Sequence, residues 1–381
     1  MSQCEVLLVA EQLRSRVPGG IGTYVTGLVG GLSGLAPGSV PDVTLLASRK
    51  PGPDPIAALG RPVRSVPLPS RLLVKAWDLG AVHAGRGFGV VHAASIMTPP
   101  TSVPLVVAVH DLAWRRLPGA YPSRGRRWHE AALGRALRRG TRFVVPSEDV
   151  AGELGEELGS RGAERVERVE YGADHLPPPD RHAAAARLRR LGVEGDFLLA
   201  VGTLEPRKNL ARLLAAYALA RRRLPELWPL VLVGPRGWGD GGVLGAALPA
   251  GGPEGVLLTG AVPGAELAAL YASCRCLAYV SLLEGFGLPV AEAMRAGAPV
   301  VASRVPAAGG AALEVDPLDV ESIAAGLVSA SADEACRAEL VAAGRDRSSR
   351  LTWSAAAAAH SRIWRQAAEE GAGRRPTGAR R

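Results

Sequence analysis

Short apolar runs alternate with helical patterns along the whole chain. Each run is four to seven residues long, a length typical of buried β-strands. The predicted strands are Cys4–Ala10, Asp42–Ala47, Val63–Pro67, Val90–Ala94, Leu105–His110, Arg142–Val145, Arg165–Tyr171, Phe197–Val201, Leu230–Gly234, Val256–Gly260, Cys276–Ser281, Pro299–Ser303 and Ala312–Val315. The predicted helices are Tyr24–Leu35, Leu72–Ala84, Arg127–Arg139, Glu148–Leu158, Leu210–Leu224, Ala265–Ser273, Pro289–Ala296 and Val320–Ala330. This alternation favours parallel sheets covered by helices on both faces, and it predicts the α/β fold class.

A proline-rich segment, Leu176-Pro177-Pro178-Pro179-Asp180, interrupts the alternation. Three consecutive prolines lack backbone donors and stiffen the chain, which is typical of a linker. A chain of 381 residues is too long for one ordinary hydrophobic core. We therefore predict two doubly wound, Rossmann-like domains at 1–177 and 178–350. Such domains would face each other across a cleft, at the carboxyl ends of their strands. The small, basic tail at 371–381 predicts disorder.

Charge and composition narrow the classes of function. The net charge of +9 suits phosphorylated substrates, an anionic membrane surface or nucleic acid, unless it reflects a general enrichment in arginine. Aromatic residues make up only 4% of the chain and do not interleave with basic runs, which argues against nucleic acid. The four cysteines have no zinc spacing, and we expect reduced thiols in a cytoplasmic protein. We also expect no signal peptide and no membrane-spanning helix, because no apolar run reaches 18 residues.

A first glycine-rich segment, Pro18–Tyr24, lies between a predicted strand and a predicted helix. Read as a dinucleotide fingerprint, Gly20-x-Gly22 would need a third glycine where Val25 stands, and a nicotinamide cofactor is therefore not expected. Gly20 and Gly22 instead favour close approach of the backbone to a phosphate or sugar at a helix N-terminus. The alternative is a plain turn that needs positive φ.

His110 and Asp111 follow the apolar run Pro104–Val109, at the carboxyl end of a predicted strand. In an open α/β sheet that edge faces the ligand crevice. A histidine there can bind a sugar hydroxyl or stabilise developing charge. The structural alternative is that Asp111 caps the next turn and His110 only packs.

The segment Gly202–Leu210 contains the only asparagine of the chain, Asn209, and one of its three lysines, Lys208. It lies between a strand and a helix start, where unpaired backbone N–H groups bind anions, most often phosphate. Arg207 can offer a planar fork to two phosphate oxygens, and Lys208 adds a mobile point charge. Asn209 is also a good N-cap for the helix that follows. The segment predicts a diphosphate site.

A second glycine-rich loop opens Glu284–Met294 and carries two acids eight positions apart, Glu284 and Glu292. Pro289 suits the first helical turn, which places Glu284 in the loop and Glu292 on the helix. We expect Glu284 to face the reacting group and Glu292 to accept hydrogen bonds from a ribose diol. The alternative for Glu292 is an exposed helix residue.

The pair of acids has one alternative interpretation. Paired acids also suit a glycosidase, but that activity leaves Arg207 and Lys208 unexplained. No Asp-x-Asp motif occurs in the chain, and we therefore expect no metal ion at the diphosphate, whose charge cationic side chains and helix dipoles must balance.

Together the motifs resemble the family 4 glycosyltransferases, retaining enzymes of the two-domain GT-B fold. The resemblance covers most of the chain, from Gly19-Gly20-Ile21-Gly22 to about Trp364, and depends chiefly on Gly202–Leu210 and on Glu284–Glu292. Gly-Thr-Leu-Glu-Pro-Arg-Lys-Asn is most similar to the mannosyltransferase branch. The resemblance implies metal-independent transfer of a hexose from a nucleoside diphosphate sugar, with GDP-mannose as the first guess. The acceptor would be a hydroxyl of a glycan, lipid-linked or small molecule.

The resemblance also implies roles for the donor site. Arg207 and Lys208 would bind the donor diphosphate, with the backbone of Gly20 beside it. The amides of Phe286, Gly287 and Leu288 would hold donor groups.

For the sugar and the ribose, the resemblance implies that Glu284 contacts the transferred sugar, while His110 lies by its outer hydroxyl and anomeric centre. Glu292 would bind the ribose hydroxyls. The last helix of the family crosses back to the amino-terminal domain, and 351–370, which includes Trp353–Arg365, is placed to do so.

One segment departs from the family pattern. After Ser303 the family usually has a Pro-Glu, whereas Ser303–Gly310 reaches its glycines early and contains no glutamate. This shortened loop favours the alternative of a non-catalytic member that binds a sugar nucleotide or a partner. A sugar-nucleotide epimerase of the same fold is the other alternative.

The arginine-rich stretch Arg124–Arg139 has two interpretations. As a basic amphipathic helix it would contact anionic lipid at the inner membrane face. Otherwise it is a solvated helix with Trp128, Leu133 and Leu137 turned inward.

Overall fold

The computed structural model describes residues 4–15, 17–36, 38, 40–50, 52–160, 162–224, 228–237 and 254–373. The chain divides into two compact units, the first drawn from Met1–Arg116, Tyr121–Gly172 and Trp353–Arg381, the second from Leu117–Ala120 and Ala173–Thr352. The second unit thus includes 173–177, which the sequence assigned to the first domain. Within the described ranges, every helix is too short or too polar to cross a bilayer.

The first unit contains a seven-stranded parallel sheet. Its strands are β1 (Glu5–Val9), β2 (Asp42–Ser48), β3 (Val63–Val66), β4 (Val90–Ala93), β5 (Leu105–Ala108), β6 (Arg142–Val145) and β7 (Val166–Arg168). Their order in the sheet is β3-β2-β1-β4-β5-β6-β7. Successive strands are added toward one edge from β1 to β3 and toward the other edge from β4 onward, so the strand order reverses between the parallel neighbours β1 and β4. Every residue of β4 and β5 is buried, as a sheet covered on both faces requires.

The second unit contains a six-stranded parallel sheet of the same design. Its strands are β8 (Leu198–Val201), β9 (Leu230–Val233), β10 (Val256–Gly260), β11 (Cys276–Tyr279), β12 (Val300–Ala302) and β13 (Leu313–Glu314). Their order is β10-β9-β8-β11-β12-β13, with the reversal between β8 and β11. Two parallel α/β sheets confirm the predicted fold class. Ligands of such sheets bind outside the carboxyl ends of the strands that flank the reversal.

Helices cover both sheets. They are α1 (Gly19–Ser33), α2 (Ser70–Asp78), α3 (Ala113–Arg116), α4 (Ser123–Arg139), α5 (Glu148–Leu158), α6 (Arg181–Arg190), α7 (Leu210–Arg223), α8 (Gly264–Ser273), α9 (Leu288–Ala296), α10 (Val320–Ala332), α11 (Glu334–Ser349) and α12 (Trp353–Gly373). The apolar faces of α7 and α10 pack together over the second sheet, where Leu213, Tyr217 and Ile323 are buried.

The sequence missed two longer helices, α6 and α11. Helix α11 buries only Gly344 and Ser348, and its surface therefore has no apolar stripe to read. Their N-cap residues were the sequence signal that could have predicted both helices. The side chains of Asp180 and Asp333 accept hydrogen bonds from backbone N–H groups in the first turns of α6 and α11.

The first and last helices also differ from their predicted bounds. The helix expected from Tyr24 begins at Gly19, and the glycine-rich turn is in fact its first turns. The predicted disorder of the tail is wrong for 371–373, which end α12, and 374–381 lie outside the described residues.

Helix α12 packs against α1 of the first unit, and glycines make the approach close enough. A Cβ on Gly27 would lie 2.1 Å from Cε2 of Trp353, and a Cβ on Gly31 would lie 2.2 Å from the Trp353 carbonyl oxygen. Both distances are far below the roughly 3.5–4.0 Å of a carbon contact. Glycines in α1 therefore allow the start of α12 to pack directly against the backbone of α1.

The same region contains a buried chain of hydrogen bonds with one consistent proton assignment. The indole N–H of Trp364 donates to Nδ1 of His92 (3.1 Å), so Nε2 of His92 carries the hydrogen and donates to Tyr24 (2.9 Å). Nδ1 of His360 donates to the Ala356 carbonyl (2.7 Å), and its Nε2 accepts from the Tyr24 hydroxyl (2.7 Å). Burial lowers the pKa of His360 to about 4, so the ring is neutral at neutral pH. The chain joins α1, β4 and α12.

We predict that Gly27→Ala lowers the free energy of unfolding by about 1–3 kcal/mol, because the new methyl group overlaps the Trp353 ring. Urea unfolding measures the change. Gly30→Ala in the same helix is the matched control: a Cβ there has nothing within 4 Å, and we expect it to be neutral or stabilising by up to about 1 kcal/mol. Equal effects of the two substitutions would contradict the packing account.

Candidate functional site

The predicted charged segments of the second unit meet where its strand order reverses. Strands β8 and β11 are paired, and the segments that follow them carry Arg207-Lys208 and Glu284 respectively. Pro206–Lys208 forms one turn of 3-10 helix, and the N–H of Leu282 donates to the Arg207 carbonyl oxygen (2.9 Å). This backbone bond joins the two segments beyond the carboxyl ends of their strands.

One carboxylate accepts from both cations. Oε2 of Glu284 lies 2.7 Å from Nη1 of Arg207, and Oε1 lies 2.6 Å from Nζ of Lys208. Nζ of Lys208 also donates to the hydroxyl of Tyr279 (2.8 Å), at the end of β11. The side chains of Glu284, Arg207 and Lys208 are only 9%, 14% and 12% exposed, so these charges interact with little screening by water. The structure thus brings together three of the four predicted catalytic residues.

The protonation states of the cluster follow from burial and charge. Burial raises the pKa of Glu284, but Arg207 and Lys208 outweigh that effect and lower it to about 2. Burial lowers the pKa of Lys208, and Arg207 adds to the decrease while Glu284 opposes it. Arg207 therefore favours the anion of Glu284 and disfavours the cation of Lys208. The carboxylate stays ionised throughout the physiological range.

The guanidinium of Arg207 is more occupied than the sequence suggested. Its Nε and Nη2 both donate to Oε1 of Glu205 (3.1 and 2.8 Å), and its Nη1 also donates to the Leu283 carbonyl oxygen (3.0 Å). Glu205 is buried, with 4% of its surface exposed, and burial raises its pKa against the opposing charge of Arg207. The planar fork expected to grip phosphate thus holds two carboxylates and a carbonyl group. Sequence reasoning missed Glu205, although it stands within the quoted motif.

Lys208 lies along the backbone of the turn after β8. Gly202, with φ 154°, makes room for it, because a Cβ there would lie 3.2 Å from Cε of Lys208. Beside it is a small cavity of about 20 Å³, which has room for one water, lined in part by Thr203, Tyr279 and Ser281. The aliphatic stem of Lys208 therefore lies on the turn after β8, while its ammonium group reaches Tyr279 and Glu284.

Asn209 differs from its predicted role. It occupies the N-cap position of α7, but its side chain makes no capping bond, because its backbone is left-handed (φ 59°). Its amide instead donates to the carbonyl oxygens of Val280 (3.0 Å) and Pro317 (2.6 Å). The asparagine therefore fixes the cationic turn to β11.

The second glycine-rich loop leads into α9 as predicted. Gly287 is the N-cap with φ 100°, and Pro289 lies in the first turn. The amides of Phe286, Gly287 and Leu288 therefore stand at a helix N-terminus, where the dipole favours an anion. Their predicted contact with donor groups stays a prediction.

The shortened loop after Ser303 packs directly against this turn. The N–H of Ala307 donates to the Phe286 carbonyl oxygen (2.8 Å), and Nε of Arg347 donates to the Ala307 carbonyl oxygen (3.0 Å). The hydroxyl of Ser303 donates to the Ser281 carbonyl oxygen (2.6 Å). The loop without the glutamate is thus a tightly bonded part of the site.

Glu292 is not an exposed helix residue, so that alternative is wrong. It lies on α9 with 7% of its surface exposed. Its Oε2 accepts from the hydroxyl of Tyr271 (2.8 Å), and its Oε1 lies 3.1 Å from Nε2 of His175. Neither partner was picked out from the sequence. No spacing signal could have found them, because His175 and Tyr271 are remote from Glu292 along the chain.

The remaining predicted residues belong to the first unit. Gly20 is exposed in the first turn of α1, whereas Gly22 is buried and its N–H donates to the Pro18 carbonyl oxygen (3.1 Å). The donor contact predicted for Gly22 is therefore not available to its N–H in this conformation. The ring of His110 is fully engaged: Nε2 donates to the Ala94 carbonyl oxygen (2.7 Å), and Nδ1 accepts from Tyr171 (2.6 Å).

Asp111 fulfils the structural alternative. Its Oδ1 accepts from the N–H of Ala113 (3.0 Å), which begins α3. Burial lowers the pKa of the neighbouring His110, so its imidazole is neutral.

Comparison with known proteins gives a consistent set of matches. Residues 19–172 match the family model described as a glycosyl transferase 4-like domain, and residues 195–333 match glycosyl transferases group 1. The chain is 32% identical over 272 residues to O-antigen chain mannosyltransferase B of Escherichia coli, covering 69% of this chain and 71% of the relative.

Two solved structures share the fold. Sucrose-phosphate synthase of Thermosynechococcus elongatus matches with a TM-score of 0.72 at 20% identity, over 96% of this chain and 99% of that one. HepE of Anabaena, in complex with UDP-glucose, matches with a TM-score of 0.69 at 19% identity, over 97% of this chain and 99% of that one.

We predict that Arg207→Met lowers the free energy of unfolding by about 3–5 kcal/mol, because Glu205 would stay buried without a cation. Urea unfolding at neutral pH measures the loss. The double variant Glu205→Gln/Arg207→Met should recover a large part of it, since no buried charge is then left unpaired beside position 207. Equal destabilisation of the single and double variants would show that the carboxylate is not the cause.

Proposed function

The chain belongs to the family 4 glycosyltransferases, of GT-B fold, and from that membership we propose that it transfers a hexose with retention of configuration. The family assigned from the motifs is confirmed, as is the class of transferase. The proposed donor is a nucleoside diphosphate sugar, and the proposed acceptor is a hydroxyl of a glycan, lipid-linked or small molecule.

The observation that carries the proposal is the ion cluster of Lys208, Arg207 and Glu284 beyond β8 and β11. A departing diphosphate gains negative charge, and fixed cations stabilise it most when they need not reorganise. Lys208 is held in place by Glu284 and Tyr279, so its charge is already positioned. We assign the contact with the leaving phosphate to Lys208, with helix amides at the start of α9.

Arg207 has a different part in this proposal. Its bonds to Glu205 and Glu284 position the carboxylate that would contact the transferred sugar. Both N–H groups of Nη1 already donate, to Glu284 and to the Leu283 carbonyl oxygen, and a direct bond from Arg207 to phosphate stays a prediction. The same holds for Gly20 and His110 of the first unit.

The proposed chemistry needs no protein nucleophile. The bond from the anomeric carbon to the phosphate oxygen breaks, and the acceptor oxygen attacks from the same face. The acceptor proton passes to the departing phosphate oxygen, which leaves a nucleoside diphosphate and a retained glycosidic bond. Exclusion of water protects the oxocarbenium-ion-like anomeric centre of the sugar from hydrolysis.

We propose that this chemistry proceeds without a metal ion. Lys208 and Arg207 supply positive charge, and Glu205 and Glu284 are already paired with them. Among the described residues, no group of three or more His, Cys, Asp or Glu is arranged to hold a metal ion. Full turnover in excess chelating agent is the expected result.

The identity of the donor is proposed from relatives. The Escherichia coli relative is named as a mannosyltransferase, and the HepE structure holds UDP-glucose. Both names are consistent with a nucleoside diphosphate hexose, and we propose GDP-mannose. A thermal-shift screen across GDP-, UDP- and dTDP-sugars tests the base and sugar, because a bound donor raises the melting temperature by mass action.

The same donor, incubated without an acceptor, separates the proposal from its alternatives. A transferase releases nucleoside diphosphate slowly with water as acceptor and rapidly once an acceptor is added. Conversion to an epimeric sugar nucleotide would identify an epimerase. Tight binding without release in either condition would identify a non-catalytic member.

We predict that Lys208→Ala lowers the rate of nucleoside diphosphate release by about 10²–10³-fold, the cost of removing one preorganised donor to a developing anion. Initial rates with the donor from the thermal-shift screen measure the loss, and circular dichroism confirms the fold. Lys50→Ala is the matched control, because Lys50 is exposed and lies in the first unit. Near-normal turnover of the Lys208 variant would refute the phosphate role.

A contact with anionic lipid is proposed for the surface formed by α2 and α4, which an ion pair between Asp78 and Arg135 joins. Leu72, Leu79 and Trp128 on this surface are 54%, 73% and 36% exposed. Trp128 therefore does not turn inward as the solvated interpretation required, although Leu133 is buried and Leu137 packs against the core of the first unit. Arg71 and Lys75 of α2 and Arg124 and Arg127 of α4 are exposed as well. Apolar side chains amid basic ones are typical of membrane-surface helices.

We predict that the protein sediments with vesicles containing 30% anionic phospholipid at low salt, and that about 0.5 M salt releases most of it, because surface charges are then screened. Arg124→Glu/Arg127→Glu should weaken binding strongly. Arg350→Glu, an exposed arginine of the second unit, is the control. Equal binding to neutral vesicles, or no effect of the double substitution, would contradict the lipid contact.

A further inference from the structure

The carboxylate of Glu292 has one protein donor on each oxygen. The hydroxyl of Tyr271 donates to Oε2 at 2.8 Å, and Nε2 of His175 lies 3.1 Å from Oε1. A carboxylate only accepts hydrogen bonds, so Nε2 of His175 must carry its hydrogen in this contact. Burial raises the pKa of Tyr271 well above its ordinary value, and its hydroxyl is therefore a permanent donor.

Each carboxylate oxygen has two lone-pair directions. The bonds from Tyr271 and His175 use one direction on each oxygen and hold the carboxylate plane from both ends. Among the residues that the structure describes, no third donor reaches this carboxylate, and one direction on each oxygen remains. Two further donors, one per oxygen, are what the vicinal hydroxyls of a ribose supply.

The backbone that carries His175 is fixed on both sides. The N–H of Ala173 donates to the Leu351 carbonyl oxygen (3.0 Å), and the N–H of Asp180 donates to the Ala265 carbonyl oxygen (2.9 Å). Between them, Pro177 packs against the start of α8, where a Cβ on Gly264 would lie 3.2 Å from Cδ of Pro177. Prolines at 177–179 further restrict this segment.

The two donors are therefore parts of one construction. Helix α8 carries Tyr271 and also anchors the segment that carries His175, and α8 packs against α9, which carries Glu292. Three separate stretches of the second unit converge on one carboxylate. The Glu292 side chain is 8% exposed, and a buried carboxylate needs such donors; the same two bonds also fix its orientation.

We propose that His175, with Tyr271, is a positioning residue that orients Glu292 toward the two ribose hydroxyls of the donor nucleotide. This inference rests on the proposed function, which assigns Glu292 to the ribose. In this role His175 acts through Glu292 and not on the sugar being transferred. It sets how strongly the site distinguishes a ribonucleotide from one that lacks both hydroxyls.

Isothermal titration calorimetry tests the proposal on the full chain with GDP and 2′,3′-dideoxy-GDP, and in parallel with UDP and 2′,3′-dideoxy-UDP. We expect the wild-type protein to bind the ribonucleotide about tenfold or more tightly than its dideoxy form, for the base it prefers. His175→Ala should reduce this ratio about fivefold, while affinity for the dideoxy nucleotide stays within about twofold. Tyr271→Phe should act in the same direction.

Conservative and distant variants complete the experiment. His175→Gln should keep most of the ratio, because its amide N–H can donate to the same oxygen. His182→Ala, at an exposed position of α6 in the same unit, should leave both affinities unchanged. Loss of the ratio in His175→Gln would contradict the donor role, and that variant also serves if His175→Ala does not fold.

The outcomes separate this inference from the function it rests on. A full ratio in His175→Ala and Tyr271→Phe, with loss in Glu292→Gln, overturns the positioning role and leaves the ribose site standing. Equal loss of affinity for both nucleotides in His175→Ala shows a structural role only and also overturns it. A wild-type protein that does not discriminate the two forms of either nucleotide refutes the ribose assignment itself.

Discussion

A carboxylate removed from water beneath two cations is the constraint on which the second unit's site depends. Burial alone would raise the pKa of Glu284 and favour its neutral acid, and chiefly the adjacent charges of Arg207 and Lys208 keep it ionised. The turns after β8 and β11 therefore cannot separate without exposing unpaired charges in a poorly hydrated place. The ion cluster fixes both turns where the strand order reverses, the place at which such sheets bind ligands.

The composition of this cluster also shapes its chemistry. Two acids, Glu205 and Glu284, are paired with two bases, Arg207 and Lys208. Arg207 is occupied by both acids, whereas Lys208 pairs with one acid and a tyrosine. The motif suggested that two equivalent cations bind the diphosphate. In the structure their roles differ: Arg207 holds the two acids, and Lys208 lies along the turn after β8.

The first unit solves a related problem with neutral groups. Tyr24 connects His92 to His360, and every ring nitrogen of those histidines has a defined partner. A buried polar network in which each donor has an acceptor costs little and specifies one arrangement of its elements. Together with the glycines of α1, the network holds the final helix on the unit in which the chain begins.

The sequence itself determined the fold class, the positions of the strands, the cationic motif at Arg207-Lys208 and the acidic motif at Glu284 and Glu292. It could do so because hydrophobic periodicity, apolar runs and turn residues are local properties. Each predicted strand occurs within the described residues, usually ending a residue or two early. What each charged side chain holds was decided only by tertiary structure. The engagement of Arg207 with Glu205, the burial of Glu292 under Tyr271 and His175, and the occupied ring of His110 all join residues remote along the chain or turned by backbone angles that no spacing reveals. Hydrogen-bond geometry is set by packing of whole elements, and a linear pattern records only which elements exist.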